Sequence, residues 1–86
     1  MPYYTIIFAR PARKELEALD DVTIRRILSK IEALAEEPTP RGCRKLQGEE
    51  NLWRIRVRDY RVIYAIYRKD KIVDIIAVRH RSKAYE

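Results

Sequence analysis

In the stretch LWRIRVRDYRVIYAIY (residues 52–67), Arg54, Arg56 and Arg58 alternate with Trp53, Ile55 and Val57. A period of two puts the apolar residues on one face of a strand and three guanidinium groups on the other. Like charges in a row repel, and a face needing only solubility would interleave Glu, Thr and Lys. The arginine fork takes phosphate oxygens two at a time and keeps its charge at physiological pH. This face is therefore suited to an anion whose charge is spread over several groups. The plain alternative is a solvated strand face with ion-pair partners elsewhere.

The face needs a sheet to carry it. Arg61–Tyr67, rich in aromatic and β-branched residues, reads as a second strand, paired with the first through a tight turn at Asp59-Tyr60. Opposite residues of an antiparallel hairpin share a face, so Arg58 faces Arg61 and both join the arginine side. Ile72–Val78 (IVDIIAV) is nearly continuous in apolar residues, as an inner strand is. Arg79 lies beside Arg61 or on the far face, depending on whether the turn near residues 69–71 holds three residues or two.

Upstream, Tyr3–Phe8 reads as a first strand. Pro11 suits the first turn of a helix over 12–19, and Asp21 is a plausible N-cap for a longer helix over 22–37 with a wide apolar stripe. Pro38-Thr39-Pro40 stops it. The exposed faces of the two helices mix both signs and suggest no site. Residues 41–48, RGCRKLQG, read as a short strand between the chain's two glycines, and Arg44 and Lys45 are expected to flank the arginine face. The order β-α-α-β-β-β-β makes an α+β fold over one domain, residues 1–86: an N-terminal strand, a two-helix hairpin, then an antiparallel meander of about four strands with both helices on one face.

Composition narrows the partners. Residues 1–40 hold six basic and seven acidic residues, a net of −1, while residues 41–86 hold thirteen and six, a net of +7. The +6 of the chain thus belongs to its strand-rich half, which favours a polyanion such as nucleic acid. A membrane surface fits less well, because the cations sit on strands, and no apolar run approaches the ~18 residues of a span. The opening MPYYTIIF does not read as a signal peptide, and Cys43, alone, has no internal disulfide partner. Both point to the cytoplasm. One Cys and one His far apart make no credible metal site.

WRIRVRDYRVIY followed by VRHRSKAY resembles the RelE branch of the RelE/ParE superfamily of type II toxin–antitoxin toxins. The opening YTIIFARPARKELEAL and the PxxxGCRKLQG segment at residues 38–48 extend the resemblance over nearly the whole chain. It implies a microbial-ribonuclease-like fold. It also implies a ribosome-dependent endoribonuclease that cuts mRNA in the A site, with no metal or other cofactor. The ribose 2′-hydroxyl attacks the adjacent phosphate and leaves a cyclic phosphate. The implied partners are the ribosome and mRNA, a RelB-like antitoxin that wraps and blocks the toxin, and operator DNA only through the antitoxin complex.

The resemblance places Arg61 and Arg79 at the family's phosphate-binding arginines, suited to a pentacovalent phosphorane whose charge must be neutralised. Arg54 and Arg56 stand where the best-known members carry lysines, one of them proposed as the base. Arginine does not deprotonate, so proton transfer falls to another group or the enzyme relies on electrostatics and alignment. His80, the only histidine, is a candidate base, imidazole being the side chain that changes protonation near neutrality, and flanking Arg79 and Arg81 favour its neutral form. Its other reading is a phosphate contact or a structural residue. Tyr85 matches the family's C-terminal tyrosine, for base stacking or proton transfer; otherwise it plugs the sheet end. Arg44, Lys45, Arg58, Arg81 and Lys83 are expected to bind RNA backbone, and Trp53, on the apolar parity, belongs to the core.

A ParE-like toxin, which uses the same fold to inhibit DNA gyrase and is not a nuclease, is the rival from another class. A plain basic RNA-binding module or decayed toxin is the third. The His-Arg-x-x-x-Tyr ending and the dense arginine face favour the nuclease.

Overall fold

In the computed structural model, which describes residues 3–48 and 51–83, the alternating stretch becomes the frame of the molecule. Strand β3 (Leu52–Val57) pairs antiparallel with β4 (Tyr60–Tyr67), and β4 pairs antiparallel with β5 (Ile72–His80). Short β2 (Arg44–Lys45) adds to the outer side of β3. Strand β1 (Thr5–Phe8) lies parallel to β5 on the opposite edge, so the spatial order is β1-β5-β4-β3-β2. The meander is as expected, and the N-terminal strand completes a five-stranded mixed sheet.

Helices α1 (Arg10–Glu17) and α2 (Asp21–Ala33) bury their apolar stripes on one face of that sheet. Ala12 and Leu16 of α1 and Ile27 and Ile31 of α2 meet Ile55, Val62, Tyr64, Val73, Ile75 and Val78 from the strands. Trp53 packs half-buried against this core. Asp20, not Asp21, caps α2: its carboxylate accepts the Thr23 N–H at 3.2 Å and the Thr23 hydroxyl at 2.6 Å. Those two bonds hold the Asp20 carboxyl below its usual range. Either aspartate can do this; the geometry selects the one three residues before a free helical N–H. The helix proper ends at Ala33, earlier than the apolar stripe suggests.

Tyr64 ties the sheet to the loop after α2. Its hydroxyl donates to the Pro38 carbonyl at 2.6 Å in a fully buried site. Burial, with Cys43 nearby, pushes the Tyr64 phenol well above its ordinary value. Tyr64→Phe is expected to cost about 1–3 kcal/mol at neutral pH, because the Pro38 carbonyl stays buried without a donor. A group whose folded-state pKa is raised stabilises fully below its unfolded value and less above it. The gap between wild type and Tyr64→Phe, read by urea denaturation, should therefore narrow as pH climbs past about 10.

Candidate RNA-binding and catalytic face

The β3–β4 turn is one residue earlier than alternation suggests. Val57 pairs with Tyr60, so the two-residue turn is Arg58-Asp59, and Arg58 leaves the strand face. Its φ of +56° is unusual for a side-chain-bearing residue and costs about 1 kcal/mol. The shift by two in register preserves parity: Arg56 pairs with Arg61, and Arg54 and Arg56 share the side of Arg61.

A β-bulge settles Arg79. Tyr67 pairs with Ile72 around a four-residue turn, a register that would oppose Arg61 to Val78. Ile63, however, pairs with Ala77 while Tyr64 pairs with Ile75, so Ile76 is an extra residue in β5. Past it the strand advances by one, and Arg79 comes opposite Arg61. Arg56, Arg61 and Arg79 thus form one cross-strand row on three adjacent strands. In the next row Arg44 pairs with Arg54. Neighbours in such rows have Cβ atoms about 5 Å apart, close enough for two guanidinium groups to reach one phosphate. Arg61, in the middle, is only 5% exposed.

Two clefts open over these rows. One, of about 410 Å³, is lined by Arg56, Arg58, Arg61 and Arg81 with Asp59, Tyr60 and Ser82. The other, of about 250 Å³, is lined by Gly42, Arg44, Arg54 and Arg56. Lys45 is not part of this face: it pairs with Trp53 on the other parity and lines a separate cleft with Tyr67 and Lys69.

His80 pairs with Tyr60, one step round from the arginine row and on the opposite parity, and their rings meet edge-on at 5.3 Å. Its Nδ1 accepts the Ser82 backbone N–H at 3.3 Å and lies 3.0 Å from the Ser82 hydroxyl. A nitrogen that accepts an N–H carries no proton, so the neutral ring bears its hydrogen on Nε2. Arg81–Lys83 form one 3-10 turn, its start fixed by the Arg81 N–H donating to the Asp59 carbonyl at 2.7 Å. Tyr85 lies outside the described residues.

Glu15 has no counterpart in the sequence reading. Pairing of β1 with β5 stops at Ile75, which leaves the outer edge of β5 open beyond the bulge. Glu15, on α1, accepts the Val78 N–H at 2.9 Å and lies 3.7 Å from Arg79 Nε. No local pattern around Glu15 points to this, because the open edge exists only in three dimensions. Glu15→Gln keeps an acceptor for Val78 and should change stability by less than about 0.5 kcal/mol, since the partly exposed ion pair is weak. Glu15→Ala removes the acceptor and should cost about 1 kcal/mol or more in chemical denaturation.

The sequence profile of the family described as the ParE toxin of type II toxin-antitoxin system, parDE, matches residues 6–85. The chain belongs to the RelE/ParE superfamily of type II toxins. The toxin is 34% identical to the RelE of an archaeal RelE–RelB complex from Pyrococcus horikoshii OT3, with a TM-score of 0.83 over 95% of this chain and 99% of that one. It is 28% identical over 76 residues to a Methanocaldococcus jannaschii protein that bears the name RelE1, covering 85% of this chain and 84% of that protein. A YoeB/ParE toxin from Agrobacterium tumefaciens, 17% identical with a TM-score of 0.77 over 88% and 96% of the two chains, shares the fold alone.

Proposed function

We propose that this toxin is a metal-independent endoribonuclease that cuts mRNA in the ribosomal A site and so stops translation. The observation that carries the reading is the row Arg56–Arg61–Arg79, three cations in cross-strand register on adjacent strands, with Arg56 and Arg61 lining an open cleft. In this reading Arg61 and Arg79 bind the non-bridging oxygens of the scissile phosphate. The 2′-oxygen of the upstream ribose bonds to phosphorus as the bond to the 5′-oxygen breaks, leaving a 2′,3′-cyclic phosphate and a 5′-hydroxyl. The charge on the phosphorane oxygens grows where the guanidinium groups already stand, so no reorganisation is needed at the moment of reaction.

No arginine takes the 2′-proton. With Nδ1 engaged by Ser82, neutral His80 is better suited to donate a hydrogen bond through Nε2 than to act as base. The 2′-proton leaves to solvent or to a group aligned by the ribosome, and the departing 5′-oxygen takes up a proton from solvent or from such a group; the ribosome's hold on the mRNA supplies the near-attack geometry. Arg44, Arg54, Arg58 and Arg81 bind flanking backbone, and Lys45 contacts RNA outside the row. The partner that silences the toxin is a RelB-like antitoxin, a reading supported by the likeness to the RelE of the P. horikoshii RelE–RelB complex. Operator DNA is bound only through the pair. Such a toxin works in the cytoplasm, where its ribosomes are.

The matching family's description names ParE, and that favours one second reading: a gyrase-directed toxin without nuclease activity. Primer extension on mRNA translated in vitro separates the two. New 5′ ends inside the coding region, only when ribosomes and toxin are both present, are expected. Intact mRNA in every lane, from protein that arrests growth in cells, would sink the nuclease reading and send the work to gyrase.

A further inference from the structure

We infer that a second RNA-backbone site lies in the cleft between α2 and the tip of the β3–β4 hairpin. Arg25, Arg26, Ser29 and Lys30 of α2 line it together with Arg56 and Arg58. No carboxylate lines it, and among the described residues no ion pair engages any of its five cations. All five are exposed. Of the charged residues of α2, Arg25, Arg26 and Lys30 line the cleft, and Asp21 and Glu32 do not.

Three features here work against the stability of the isolated chain. Arg26 and Lys30 stand four apart on one helix, a like-charge pair that disfavours the helix. Five cations converge on one concave surface and repel one another, most at low salt. Arg58, at the junction, holds a left-handed conformation that glycine would adopt freely. A bound polyanion relieves the first two, and the third aims a cation at the place where the polyanion would cross. Arg56 and Arg58 line this cleft and also the one over the arginine row, so the basic surface runs unbroken round the hairpin tip. Its shape fits a chain of phosphates rather than a single anion. The inference does not depend on cleavage; it would hold for a toxin that binds RNA without cutting it.

The test uses the whole toxin and 2′-O-methyl oligoribonucleotides, which cannot be cut by 2′-hydroxyl attack. Binding of a fluorescent probe of about 12 nucleotides is followed by anisotropy across a salt series. The triple variant Arg25→Gln, Arg26→Gln, Lys30→Gln keeps good helix formers and lowers the net charge by three. A control triple, Arg10→Gln, Arg13→Gln, Lys14→Gln on α1, lowers it equally. The cleft variant is expected to bind about tenfold or more weakly near 0.1 M salt, with a salt slope smaller by about 2. The control should change affinity less than about threefold. Equal losses in the two triples, or none in either, would overturn the proposal. So would an unchanged RNA affinity with lost binding to a polyglutamate peptide, which would make the occupant an acidic protein segment.

A probe of about 4 nucleotides, too short to span both clefts, identifies the strand. Unchanged binding of it by the cleft variant means that one strand runs through both clefts. Two copies bound per wild-type toxin and one per variant mean that a separate RNA segment sits on α2.

Discussion

Arg61→Ala is expected to lower cleavage of ribosome-bound mRNA by about two to three orders of magnitude, the loss seen when one preorganised donor to a transition-state oxyanion is removed. Arg61 occupies the central strand with Arg56 on one side and Arg79 on the other, and it is the one buried member of the row. Burial keeps its guanidinium in place and screens it little from the phosphate. The neighbours are more exposed, so Arg56→Ala should cost less than Arg61→Ala. Arg61→Lys separates charge from shape: a point charge replaces the planar fork, and activity should stay about tenfold or more below wild type. Cleavage by Arg61→Ala within about threefold of wild type, in folded protein, would remove the row from the mechanism.

A one-residue insertion in β5 is expected to be worse for the fold than a one-residue deletion a step away. Placing an alanine between Ala77 and Val78 turns Val78, now 3% exposed, to the open face and sends Arg79 toward the helices. Exposing the valine and pressing a charge against the core together should cost at least about 3 kcal/mol, out of the 5–15 kcal/mol that such domains possess. Deleting Ile76 instead removes the bulge and leaves every later residue on its present face. That variant should fold and keep a measurable part of its activity, reduced only by the lost bend. Urea denaturation and the cleavage assay read both. If the insertion is harmless, or if the deletion alone destroys the row, the account of Ile76 as the extra residue is wrong.

What could be read from the chain followed from how local the physics was. Strict alternation over residues 53–57 announced both the strand and its arginine face, because period two has one structural meaning. The helices announced themselves by their stripes. Alternation sets the turn one residue late, because Arg58 takes the left-handed conformation that Gly or Asn usually marks. The bulge left no trace, since residues 72–78 are apolar almost throughout and a slip of one changes little in such a pattern. Asp20 and Asp21 are chemically equivalent caps until the helix axis is known. Lys45 is next to Arg44 in the chain, yet adjacent strand residues point to opposite faces. Glu15 was invisible because the open N–H it answers is made by β5, far along the chain.

The parallel pairing of Thr5 with Ile72 and of Phe8 with Ile75 also sets an order in time. During synthesis the first strand emerges long before its partner, and contacts so distant in sequence form slowly and last. A nascent chain carries Arg54, Arg56 and Arg61 early but acquires Arg79 only with β5, the strand that also closes the sheet. An assembled arginine row therefore cannot exist until the strand that carries Arg79 has left the ribosome. On the proposed reading, no nascent chain can cut RNA before β5 has joined the sheet, because strand order sets when the site first exists.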